Sequence, residues 1–201
     1  MRLALGLLLI FMIALTGCGT GPGTVVFMGD SLTAWWNLPQ YFPAKNYVDK
    51  GIPGNTTAQM LARFNSDVIA LHPQLVVVWG GTNSLGWVSN EQVEQELASM
   101  YGAAQQAGIQ VVACTITPRR ADGADPRDLT PEIQEVNAWI RQYAPAHDIQ
   151  VADYYPALAD SEGWLPKDLT VDFVHLNPAG YQIITPIAAA SIANTFNGAS
   201  Q

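Results

Sequence analysis

Strand-like and helix-like runs alternate along almost the whole chain, and that alternation limits the possible folds more than any other feature. The strand-like runs are 24–28, 46–49, 75–79, 110–115 and 149–153. Thr24-Val25-Val26-Phe27-Met28 is apolar and partly β-branched, as a strand buried on both faces reads. Between the runs, 57–71 sets Met60, Leu61, Phe64, Val68 and Leu71 on one helical face. Ser89 and Gln92 form a capping-box pattern that opens a helix to Ala107, and Gly108 closes it. Thr130-Pro131 opens another, with Ile133, Val136 and Ile140 inward. Asn177-Pro178 opens the last, and Pro186 is expected to kink it. Strands alternating with helices predict a mostly parallel sheet covered on both faces. Five of them fit a flavodoxin-like three-layer α/β/α sandwich with a five-stranded parallel sheet.

The amino terminus lies outside that pattern. Residues 1–17 hold one basic residue, Arg2, then an apolar core from Leu3 to Leu15 and a small-residue end. This reads as a signal peptide, shorter than the roughly 20 residues of a membrane span. Leu15-Thr16-Gly17-Cys18 resembles a bacterial lipobox, which makes Cys18 the expected lipidation site and the protein an exported lipoprotein of the bacterial cell envelope. Residues 18–23 are rich in Gly and Pro and read as a flexible tether. Residues 24–201 are then a single domain, and about 178 residues suffice for a sizeable core. The full chain carries a net charge of −8, and losing Arg2 with the leader makes the remainder more acidic. A basic nucleic-acid-binding surface is excluded on that balance. Cys114 lies in an apolar strand and reads as a buried, inert thiol.

Function is expected at the sheet's carboxyl edge, where open α/β sheets bind ligands. The first strand gives way there to Gly29-Asp30-Ser31-Leu32. Ser31 is either a helix N-cap or a nucleophile placed at that edge. A nucleophilic serine needs a base. His72 and His147 sit on the opposite side of the sheet, whereas His175 follows the last strand, with Asp172 three residues upstream. That spacing lets the carboxylate meet one ring nitrogen while the other faces the serine. Gly54 follows the second strand and offers a bare backbone N–H; Asn83 follows the third and offers a side-chain amide. Each alone reads equally well as a turn residue, but four such groups converge on one edge, as an acyl-transfer site with an oxyanion hole requires.

Taken together, Ser31, Gly54, Asn83 and His175 resemble, in order, the four landmark residues of the GDSL or SGNH hydrolases. The first block is Gly29-Asp30-Ser31-Leu32, and the last is Asp172-Phe173-Val174-His175. The likeness spans 25 to about 184. It implies Ser31 as nucleophile, His175 as base and Asp172 as its orienting partner. It further implies oxyanion donors from the Ser31 and Gly54 backbone and the Asn83 side chain. Ser84 stands where many members have Asp; the subgroup resembling platelet-activating-factor acetylhydrolases lacks that Asp as well. No metal or cofactor is called for, and no phosphate-binding glycine loop is visible. The expected activity is a serine esterase acting on a small ester, with carbohydrate O-deacetylase, lysophospholipase and an inactive binding lipoprotein as the alternatives. Trp35, Trp36 and Trp87 leave the same edge and are candidates for a substrate wall, which would favour short acyl groups. Trp79, inside a strand, is expected in the core.

Overall fold

A computed structural model of the chain describes residues 23–122 and 127–198. The leader, Cys18 and all of the tether except Gly23 lie outside the described residues. The strands are β1 (Val25–Gly29), β2 (Tyr47–Gly51), β3 (Leu75–Trp79), β4 (Gln110–Cys114) and β5 (Gln150–Ala152). All four pairings are parallel, in the order β2-β1-β3-β4-β5. The helices are α1 (Ser31–Ala34), α2 (Leu38–Tyr41), α3 (Thr57–Asp67), α4 (Asn90–Gln106), α5 (Thr130–Ala146), α6 (Tyr155–Leu158) and α7 (Pro178–Gly198).

Side chains alternate along the strands and so divide the core in two. Val26, Met28, Val76 and Val78 face Met60 and Phe64 of α3, Leu97 and Met100 of α4, and Ile133 and Ile140 of α5. Val25, Phe27, Leu75 and Val77 face Trp36 and, on α7, Tyr181, Ile184 and Ala188. β1 and β3 are buried along their whole length, which is why they read as continuous apolar runs. The chain leaves β1 toward β2 on one side and returns through β3 to build the other. The order therefore reverses between β1 and β3, and a crevice opens beyond their carboxyl ends.

Local signals placed most boundaries. Ser89 caps α4 by accepting from the Gln92 N–H, and Gly108 ends it in a left-handed conformation. The full capping box is at α3, where Thr56 and Gln59 satisfy each other's backbone N–H groups. The helix over 57–71 is shorter than expected. It stops at Asp67, a single 3₁₀ turn follows, and Leu71 is exposed rather than inward. His72 adopts a left-handed conformation there, which turns the chain before Pro73. α7 continues as one element through Pro186.

Candidate active site

Gly29 ends β1 under close contact: an added Cβ would lie 2.5 Å from the Trp79 carbonyl oxygen. Asp30 then caps α1, its Oδ1 accepting the Leu32 N–H at 2.9 Å. Ser31 is therefore not the cap. It is the first helical residue, so its own N–H has no intrahelical acceptor. Its Oγ points at His175, 2.7 Å from Nε2.

A tight turn delivers the histidine. Asp172 Oδ1 accepts the N–H groups of Val174 and His175, while Oδ2 lies 2.6 Å from His175 Nδ1. Phe173 takes a positive φ of 76° to close this turn, strain of the kind that collects at functional sites. The turn is pinned from several directions: Thr170 Oγ1 donates to the His175 carbonyl, and the Arg120 N–H donates to the Phe173 carbonyl. Two residues on, Asn177 caps α7 by accepting the Ala179 and Gly180 N–H groups. Partial burial alone would raise the Asp172 carboxyl pKa. The bonds from the His175 N–H and ring and from Val174 outweigh it and hold the carboxyl below the usual range. Asp153, which follows β5, is engaged instead by Arg141 through two bonds of 2.8 Å.

Gly54 sits in the loop leaving β2 with φ +79°, and an added Cβ would meet nothing within 4 Å. Glycine is required there by backbone conformation rather than by space. Asn83 follows β3. Its Nδ2 donates to the Asn55 carbonyl at 3.1 Å and stands 3.5 Å from Asp30 Oδ2. One amide N–H is thus anchored, while the other has only a long contact. Ser84 is buried and structural: its Oγ accepts the Thr57 N–H at 2.9 Å and fastens the start of α3 to the loop after β3.

The three tryptophans divide. Trp35 lies against the His175 ring, centroids 3.9 Å apart and planes at 31°, and is half exposed. Trp87 is 76 % exposed and lines a cavity of about 380 Å³ with Asn83, Thr56, Ala58 and Val88. The Arg127 guanidinium stands 4.6 Å from its ring centroid. Trp36 is a correction. It is 1 % exposed, stacked on Tyr181 and packed edge-on to Phe27 and Trp79, and it walls nothing. α1 ends at Ala34, with Trp35 as its C-cap and Trp36 beyond it, and the two indoles part there: Trp35 lies against the histidine, Trp36 goes down into the core. Trp79 is buried as expected, and so is Cys114, whose thiol burial pushes up to about 12. Sequence reasoning missed Asn55, which holds the Asn83 amide, and Arg63, which holds Asn55. Neither carries a motif; only their partners reveal them.

A serine, histidine and aspartate in hydrogen-bond series at the switch point of a parallel sheet, beside an amide and a glycine-bearing loop, define an acyl hydrolase by their chemistry. The comparisons with known proteins agree. The chain belongs to the GDSL-like lipase/acylhydrolase family, whose model matches residues 27–183. It is 30 % identical over 177 residues to platelet-activating factor acetylhydrolase IB subunit alpha1 of Bos taurus, covering 83 % of this chain and 72 % of that one. Among solved structures it is similar to a Bacteroides fragilis protein assigned as an acylhydrolase, with TM-score 0.81 and 33 % identity over 86 % of this chain and 87 % of the other. A GDSL-like lipase of Bacteroides thetaiotaomicron gives TM-score 0.79 and 33 % identity, covering 85 % and 88 %.

Proposed function

We propose that this hydrolase is a serine esterase that cleaves esters of small acyl groups, acetyl to butyryl, through an acyl-enzyme on Ser31. The observation that carries the reading is the unbroken series from Ser31 Oγ through His175 to Asp172, at 2.7 and 2.6 Å. His175 Nε2 takes the hydroxyl proton as Oγ bonds to the ester carbonyl carbon. The negative charge that develops on the carbonyl oxygen meets the Ser31 and Gly54 backbone N–H groups and the Asn83 N–H that is left with the long 3.5 Å contact to Asp30. When the tetrahedral species collapses, the carbon–alkoxy bond breaks and His175 returns its proton to the leaving alcohol. Water, deprotonated by His175, then attacks the acyl carbon, and the carboxylic acid leaves as Ser31 recovers its proton. Asp172 holds the ring and stabilises the imidazolium.

Two observations support a small acyl group. The Trp35 indole occupies the space directly over His175, and the curated relative at 30 % identity is named for removing acetyl. The exposed Trp87 beside Asn83 favours a second reading, a carbohydrate O-deacetylase, because an indole face stacks on a sugar ring. The intact serine–histidine–aspartate series weighs against an inactive binding protein. A hydrolysis panel of aryl esters, acetylated sugars and lysophospholipids separates these readings, with Ser31→Ala as the inactive control. An organophosphonate should label Ser31; labelling of another serine would sink the assignment.

The same proposal places the protein in the bacterial envelope, lipidated at Cys18.

A further inference from the structure

We propose that Arg63 is the positioning residue for the oxyanion donors. This inference rests on the serine-esterase reading above and extends it to a residue outside the reacting groups. Arg63 lies on α3, and its side chain is 15 % exposed. The guanidinium spends its donors on two backbone carbonyls, one side-chain amide and one acid. Nη2 donates to the Gly29 carbonyl at 2.8 Å, two residues before Ser31. Nη1 donates to the Lys50 carbonyl at 2.9 Å, near the end of β2, and to Asp67 at 2.7 Å. Nε donates to Asn55 Oδ1 at 2.7 Å.

These acceptors are the places from which the oxyanion donors are hung. Gly29 leads directly into the turn that presents the Ser31 N–H. Lys50 and Asn55 bracket the loop that carries Gly54. The Asn55 carbonyl anchors the Asn83 amide. A rigid planar fork with five N–H groups can span such a set, whereas the single ammonium of lysine cannot. Asp67 fixes the fork from the same helix, one turn on, and Lys50 Nζ approaches the same carboxylate at 3.8 Å. Without Arg63, the Gly29 carbonyl keeps the Ile52 N–H at 3.1 Å, but the Asn55 side chain loses this anchor. The loop would then be free to carry Gly54 and the Asn55 carbonyl away from their places. Donors misplaced by a fraction of an ångström stabilise a transition state far less, while ground-state binding changes little.

The test uses the full chain with Arg63→Ala, Arg63→Lys and Arg63→Gln, assayed on p-nitrophenyl acetate at a temperature where circular dichroism shows each variant folded. Arg141→Gln is the matched control. It breaks the surface ion pair to Asp153 and should leave kcat unchanged. Removing one oxyanion donor outright lowers kcat by about 10²–10³ in known hydrolases. Arg63→Ala should therefore lower kcat by about 10²-fold with KM within about 3-fold, and Arg63→Lys should recover little. Adding guanidinium at tens of millimolar, below denaturing levels, should restore part of the Arg63→Ala rate and none of any Arg141→Gln deficit. A purely structural arginine would instead give folded variants with wild-type kcat, and that result overturns the proposal. A fall in kcat that guanidinium does not relieve and that is matched by Arg141→Gln overturns it as well. If Ser31→Ala itself retains activity, it is the esterase reading that has failed, and the two failures are distinguished.

Discussion

Asp30→Asn should make the protein more stable, and by an amount that grows with pH. Asp30 is fully buried at the turn between β1 and α1, and burial pushes its carboxyl from the ordinary 3.8 up to about 7, against the lowering pull of the Leu32 N–H. Between those two values the folded protein keeps a proton that the unfolded chain has already lost. Stability must therefore fall as pH rises through this window, by up to about 1.4 kcal/mol per pH unit. Below 3.8 nothing is lost; above about 7 the loss is complete. Over the whole window the loss comes to roughly 4 kcal/mol, the order of the cost of holding a buried carboxylate. Asparagine is isosteric, carries no charge, and caps a helix as well as aspartate does. The substitution thus keeps the Leu32 bond and removes the titration. The assay is urea unfolding of both proteins at pH 4, 5, 6, 7 and 8, read as the difference in unfolding free energy, in which other acids cancel. That difference should climb by about 4 kcal/mol across the series, on the order of 10 °C in Tm for a domain of this size. A difference that stays flat from pH 4 to 8 would refute the reasoning, because Asp30 would then titrate alike in the folded and unfolded chains.

Asp172→Asn should keep the fold but cost several orders of magnitude in kcat, by the logic of other triads, while Asp153→Asn leaves kcat unchanged; the reverse result would reassign the orienting acid. Trp35→Ala should lower kcat by releasing the His175 ring and shift the acyl optimum upward from acetyl–butyryl on a p-nitrophenyl ester series, whereas a wild-type maximum at octanoate or longer would reject the small-acyl reading. Trp36→Ala should act on stability instead, at about 3–5 kcal/mol for a buried aromatic, without moving the chain-length optimum of the folded fraction. Cys18→Ser should move the protein from the membrane to the soluble fraction of a bacterial host, and fatty-acid labelling should be lost with it; an unmodified mature amino terminus in the wild type would refute the anchor.

The sequence alone determined the sheet and the line-up of reacting groups. β1 and β3 are so apolar, and the helices between strands so regularly patterned, that a parallel five-stranded α/β sheet was the arrangement that buried them. Ser31, Gly54 and Asn83 follow strand ends and His175 precedes the start of α7, and a parallel sheet brings such junctions to one edge, so their meeting was legible from order and spacing. The Asp172–His175 bond is local, made across a single turn, and its three-residue spacing foretold it. What only the tertiary structure decided depends on contacts between distant segments. Trp35 and Trp36 are neighbours of one kind, and no property of either residue says which will lie on His175 and which will sink between Tyr181 and Trp79; the orientation of a one-turn helix against α7 settles it. Arg63 shows nothing in the sequence beyond a charge beside an apolar stripe, because its role is defined by the carbonyls of Gly29 and Lys50 and the amide of Asn55, which lie on β1, β2 and the loop after β2. Asp30 proves to be the cap where the sequence offered Ser31, and only the packing around it removes the water and raises its carboxyl pKa. Periodicity and local hydrogen bonding are written along the chain, whereas burial and long-range satisfaction of polar groups arise only when the layers close on one another.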